Sequence, residues 1–276
     1  VQISSLIAAI VGVVLGGLIN WLADELPHYR VPQRPQYPDG NPRPPIAYWG
    51  ITAFILGGRS PKENPSARLS WRYPLTEIAT GILFYIVTQH MIERTDYFTV
   101  WQMGFWWFYT AALVLIFVID VEHRLILFSV MIPCGVIAVV DALLYPSFAP
   151  MRPNIVGALL GGALGFGVFF LFYLGGFLYN RISAELRGYS FNEVAFGYGD
   201  VMLVTFSGLI LGWQSLIFAM FITVFLGAFG ALVYIIGRKV GGQSAGLTTP
   251  LPYGPYIVIG TLWMMIYRQA LVSIFY

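Results

Sequence analysis

The chain runs to 276 residues, of which 58% are hydrophobic, 17% aromatic and only 10% charged, with a formal net charge of +2 and a mean hydropathy of +0.73. A water-soluble domain of this length needs far more charge to cover its surface, so the composition excludes one. The alternating ten-residue segments of a transmembrane barrel do not occur, which leaves an all-α polytopic membrane protein.

Apolar runs predict about eight transmembrane helices in a single membrane domain, 1–276. They lie at 3–23, 74–92, 98–119, 125–145, 154–179, 200–213, 216–237 and 256–275. The first run has no basic region before it and ends in Asn20-Trp21 rather than a small-residue cleavage site. It reads as a retained helix, not a removed signal peptide.

Residues 24–72 form a Pro-rich loop, expected to be largely irregular, with Pro27, Pro32, Pro35, Pro38, Pro42, Pro44 and Pro45. Its apolar stretch 46–56 is too short to span, and would lie at the interface with Tyr48 and Trp49 at headgroup level. Glu77 stands near the start of the second predicted helix, where an acid suits the helix dipole.

Two carboxylates then stand beside hydrocarbon. Asp120 closes the apolar run 111–119, and Asp200 ends Gly197-Tyr198-Gly199-Asp200 and opens the run that follows. Acids in such places face protein or a water-filled cavity and usually serve a function. Each also has a plainer reading, Asp200 as a helix N-cap and Asp120 as a helix-end residue near Arg124. His123 reads as a solvated turn residue, and Asp141, late in the fourth predicted helix, as one that reaches water. Cys134 is the single cysteine, so no intrachain disulfide and no Cys-based zinc site is expected.

In helix five, Gly157, Gly161 and Gly165 recur every four residues, as Gly12 and Gly16 do in helix one, a spacing that lets helices pack closely. The sixth helix, at about 14 residues, is roughly 21 Å long. It cannot cross a core of about 30 Å. It reads as a partial span that ends in a tight turn at Gly212-Trp213-Gln214.

All lysines and arginines except Arg94, Arg152 and Arg268 fall on the side of segment 24–72. The positive-inside tendency makes that side cytoplasmic and puts both termini outside. Asp120 and Asp200 then share one depth, at the cytoplasmic boundary.

Two facing carboxyl groups that share one proton can hydrolyse a peptide bond, one activating water while the other hydrogen-bonds the scissile carbonyl. At about 4 Å their charges would repel by roughly 4 kcal/mol at an effective dielectric of 20, so the proton is held by the pair. Gly197 and Gly199 suit a backbone that turns tightly there and lets a substrate strand approach.

Several segments, in order, resemble the prepilin peptidase (type IV leader peptidase) family. They are Leu15-Gly16-Gly17-Leu18-Ile19-Asn20, Pro45-Ile46-Ala47-Tyr48-Trp49, Leu56-Gly57-Gly58-Arg59 and Ser70-Trp71-Arg72-Tyr73-Pro74-Leu75-Thr76-Glu77 in the first part of the chain. Ile119-Asp120-Val121-Glu122-His123-Arg124, Gly197-Tyr198-Gly199-Asp200-Val201 and Pro252-Tyr253-Gly254-Pro255 follow.

The resemblance implies a membrane aspartic endopeptidase of the prokaryotic cytoplasmic (inner) membrane, with Asp120 and Asp200 as the catalytic pair. It would remove the leader of prepilin-like precursors of the type IV pilus kind at the cytoplasmic face. Its partners would be those precursors and the lipid bilayer, with no nucleic acid.

The chain also departs from the family. Loop 24–72 lacks the Cys pairs that bind zinc in many members, so no structural zinc site is expected. That speaks against N-methyltransferase activity and a need for S-adenosylmethionine; the peptidase reaction itself needs no cofactor. Phe128 stands where an acid is usual and Met202 where a lysine is usual. These departures motivate an alternative, a catalytically silent homologue serving as a structural or assembly subunit of a larger membrane complex. A proton-coupled transporter ranks last, because no internal repeat is evident and the aspartates sit at one edge.

Overall fold

The computed structural model describes residues 2–28, 33–93, 100–144, 153–187, 197–240 and 252–275. Among the described residues the regular secondary structure is helical, without a β-strand beyond one isolated bridge, Gln36 with Pro42. The helices are α1 (Gln2–Glu25), α2 (Gly50–Ile55), α3 (Arg72–Ile92), α4 (Val100–His123), α5 (Phe128–Leu144), α6 (Ile155–Arg187), α7 (Tyr198–Val240) and α8 (Gly254–Phe275). Among the described residues, five helical stretches, within α1, α3, α4, α6 and α7, are long and apolar enough to cross a membrane, and α5 and α8 add shorter apolar helices. This is an all-α, multi-pass membrane protein. Among the basic residues used above for orientation, Arg30, Arg94 and Arg152 lie outside the described residues.

The chain divides into two compact units, Val1–His123 and Arg124–Tyr276. In the first, α3 runs antiparallel to both α1 and α4. Ser5, early in α1, bonds Gln89, late in α3, at 2.9 Å, while Asn20, late in α1, bonds the Tyr73 carbonyl at 2.9 Å. Trp107, early in α4, bonds Thr88, late in α3, at 2.9 Å. Glycine permits the close approach of α1 to α3: a Cβ on Gly16 would stand 2.6 Å from Glu77 Cα, and one on Gly12 2.9 Å from Gly81 Cα.

The described part of the proline-rich loop is irregular apart from α2 and two short 3-10 turns, as its composition predicts, yet it packs on the helices. Tyr37, Ala47, Ala53, Leu69 and Tyr73 form a small buried cluster beneath it. The Tyr37 hydroxyl donates to the Gly58 carbonyl at 2.7 Å. Burial is the main influence that pushes this hydroxyl above its ordinary pKa. The prolines fix an extended path, and the few apolar residues between them have the α1–α3 pair to pack on. Trp49 lies against Gly17 and donates to the Val14 carbonyl at 3.2 Å.

In the second unit α6 packs antiparallel to the first half of α7, with Gly161 against Gly208 and Gly165 against the Val204 carbonyl. Both glycine spacings noted in the sequence thus serve packing inside the chain. The helices predicted at 200–213 and 216–237 are joined in α7, but Gly212 breaks it with φ 76 and ψ 165, a region open essentially to glycine alone. Val204 and Ser207 before the break, and Leu216, Ala219 and Thr223 after it, line one small cavity. In a straight helix, Val204 and Thr223 would be roughly 28 Å apart. The two halves therefore fold back on each other, as the short sixth run predicts. Asp141, expected to reach water, is only 5% exposed, because its face of α5 turns inward with Met131, Cys134 and Ala138.

Candidate active site

Asp120 belongs to the first unit and Asp200 to the second. The prediction ended the third helix at 119; in the structure α4 continues to His123 and carries Asp120 in its last turn. Regular backbone persists there because the polar residues Glu122 and His123 still pack on the unit, and the helix stops at Arg124, whose φ is 53. Asp120 is 5% exposed.

Around that end of α4 lies a charged cluster that sequence reasoning did not assemble. Arg72, the first residue of α3, pairs with Glu122 of α4 and with Asp24 of α1. Arg43, from the loop, joins the cluster: it pairs with Asp24 at 3.2 Å, and donates to the Gln36 carbonyl at 2.7 Å and to the Tyr73 hydroxyl at 2.8 Å. Both guanidinium groups lie over the Tyr73 ring, at 4.5 Å for Arg43 and 4.3 Å for Arg72. A polar recess of about 480 Å³ opens beside them, walled in part by Trp21, His28, Glu122 and His123. His123 packs edge-on against His28, with centroids 5.9 Å apart, and is half-buried, not freely solvated.

Glu77 was expected to serve the dipole of its own helix. It lies in the second turn of α3 and caps a different one. Its carboxylate accepts the backbone N–H groups of Gly50 and, at 2.8 Å, Ile51, the first two residues of α2. Asn20 donates to it at 3.5 Å.

Asp200 is the third residue of α7, not the first. The Gly197 N–H donates to its Oδ2 at 3.0 Å, and the Asp200 N–H donates to the Gly197 carbonyl at 3.1 Å. This reciprocal arrangement satisfies two donors at the helix start, as in a capping box. Gly199 has a steric reason to be glycine: a Cβ there would stand 2.7 Å from the Ile126 Cβ. Neither Gly197 nor Gly199 has a positive φ.

The two positions that depart from the family flank this turn. Phe128 stacks on Tyr198 with centroids 5.7 Å apart. Met202 and Tyr198 line an apolar groove of about 440 Å³ that runs along α5 and the first half of α7. Tyr253, which precedes α8, lies within electrostatic reach of Asp200. Burial, and then the Asp200 carboxylate, push its hydroxyl above the ordinary tyrosine range. The only sequence signal for Tyr253 was its place in Pro252-Tyr253-Gly254-Pro255.

A family model described as the type IV leader peptidase family matches residues 107–232, a stretch that contains both aspartates. The prepilin leader peptidase/N-methyltransferase of Pseudomonas aeruginosa is 28% identical over 209 residues, which cover 76% of this chain and 62% of that protein. The chain thus spans less than two thirds of that relative's length. The protein of the same name from Stutzerimonas stutzeri is 28% identical over 234 residues, 85% of this chain and 70% of the relative. That from Dichelobacter nodosus is 25% identical over 231 residues, 84% and 68% respectively. No solved structure matches the chain.

Proposed function

We propose that the chain, which is similar to the type IV leader peptidase family over residues 107–232 and to prepilin leader peptidases over most of its length, is a membrane aspartic endopeptidase that removes the leader of prepilin-like precursors at the cytoplasmic membrane face. The observation that carries this reading is that the family-matched stretch holds two carboxylates at helix ends, Asp120 in the last turn of α4 and Asp200 in the first turn of α7.

In the reaction the ionised member of the pair takes a proton from water as the water oxygen attacks the scissile carbonyl carbon. The protonated member hydrogen-bonds the carbonyl oxygen and stabilises the tetrahedral intermediate. Collapse breaks the C–N bond, and a proton held by the pair passes to the leaving amine. The relatives' names also carry an N-methyltransferase activity. Our reading leaves it out for this chain, because loop 24–72 has no cysteine.

Purified protein incubated with a leader-bearing prepilin-like substrate tests the reading. Wild type should cleave, and Asp120→Asn and Asp200→Asn should each lower the rate by about a thousandfold. Cleavage that survives both substitutions rejects the aspartic mechanism. A second reading, a silent homologue acting as an assembly subunit, is favoured by Phe128 and Met202 beside Asp200. It expects no cleavage by wild type and stable co-purification with a larger membrane complex.

A further inference from the structure

We infer that Arg72 is a positioning residue for Asp120: by bridging Asp24 at the end of α1 and Glu122 at the end of α4, it clamps the last turn of α4 and so fixes where the Asp120 carboxyl is held. The catalytic half of this inference rests on the peptidase reading above.

The first argument is that all three residues stand against local preference. Acids are disfavoured at helix C-termini and cations at N-termini. Yet Asp24 and Glu122 lie in the last turns of α1 and α4, and Arg72 opens α3. No helix gains from its own charge, and only the pairing across helices makes the set favourable. Conflicts between local and tertiary preference of this kind concentrate at functional sites.

The second is the geometry of α4. Glu122 follows Asp120 by two residues, roughly 200° around the helix. The clamp therefore grips the side of α4 opposite Asp120 and leaves the carboxyl clear. The last turn of a helix lacks partners for its carbonyls and frays first. Asp120 lies only three residues before the end of α4, so its position depends on what holds that turn.

The third is the choice of arginine. Nη1 meets Glu122 while Nη2 meets Asp24, and the plane rests on Tyr73. A planar fork can hold two acids at once, whereas a lysine offers one point charge. With its side chain 14% exposed, Arg72 is shielded from solvent more than Asp24 or Glu122.

Amide hydrogen exchange and cleavage kinetics on the full chain test the two halves separately, with Glu122→Gln, Arg72→Gln, Arg72→Lys and the double variant Arg72→Gln/Glu122→Gln. Glu122→Gln keeps shape, and Asp24 keeps its pairing with Arg43, so each variant should retain the helical circular-dichroism spectrum of the wild type. Exchange in residues 119–123 should speed up by about tenfold, with 105–115 unchanged. The kcat should fall about ten- to a hundredfold with KM within about twofold, and the double variant should be no slower than the worse of Glu122→Gln and a matching Arg72→Gln. Unchanged exchange, a loss confined to KM, or fully additive kcat losses would overturn the clamp. Wild-type protein that cleaves no leader overturns the peptidase reading instead, and the exchange measurement still decides whether the clamp exists.

Discussion

Glu77 is fully buried, and it is held by two amides of α2 and by Asn20. An ionised carboxylate inside a helical bundle is costly unless its oxygens are satisfied, and here a loop helix supplies the donors. Glu77→Gln turns one acceptor oxygen into an NH2 group that faces a backbone N–H, and leaves a buried donor without a partner. The expected loss is about 2 kcal/mol, measured by thermal unfolding in detergent, together with faster exchange at Gly50 and Ile51. An unchanged melting curve would show that α2 is held by its apolar contacts alone. Asp120 and Asp200 were legible as candidates because acids beside apolar runs are rare. Arg72 and Tyr253 were not, since an arginine or a tyrosine at a helix edge is ordinary until its neighbours are known.

Among the elements, α7 turns on one residue. Gly212 adopts φ 76, and a Cβ there would stand 2.9 Å from the Pro153 Cβ. Gly212→Ala should destabilise the protein by about 1–3 kcal/mol. Gly104→Ala is the control. That glycine is exposed in α4 with nothing within 4 Å of a new Cβ, so alanine there should be neutral or stabilising by up to about 1 kcal/mol. Equal effects of the two substitutions would mean that the break at Gly212 is not a constrained feature. The sequence announced this break through the shortness of an apolar run, a matter of length against membrane thickness. It did not announce how the described part of the proline-rich loop packs, because that depends on docking against α1 and α3.

For the molecule as a whole, the distribution of basic residues sets the expected orientation, with the loop in the cytoplasm. Lys62 lies on that loop and is exposed, while Cys134 is 3% exposed and makes a silent background. A Lys62→Cys variant should react with a membrane-impermeant maleimide only when the cytoplasmic face is opened to the reagent. Labelling from outside in intact cells would reverse the orientation, and would remove the cytoplasmic placing of Asp120 and Asp200.

By itself, the amino-acid sequence determined that this is a helical, multi-pass membrane protein, where its long apolar helices run, and the order of the motifs that resemble a known family. Those are local and additive properties. Each helix closes its own hydrogen bonds, and hydropathy summed over a single segment decides whether it can enter a bilayer. Only the tertiary structure decided what the charges at the helix ends do. Glu77 caps a helix 26 residues away, and Arg72 reaches Glu122 across 50 residues. Such pairings depend on which helix ends are carried to the same side of the unit, and no segment holds that information alone.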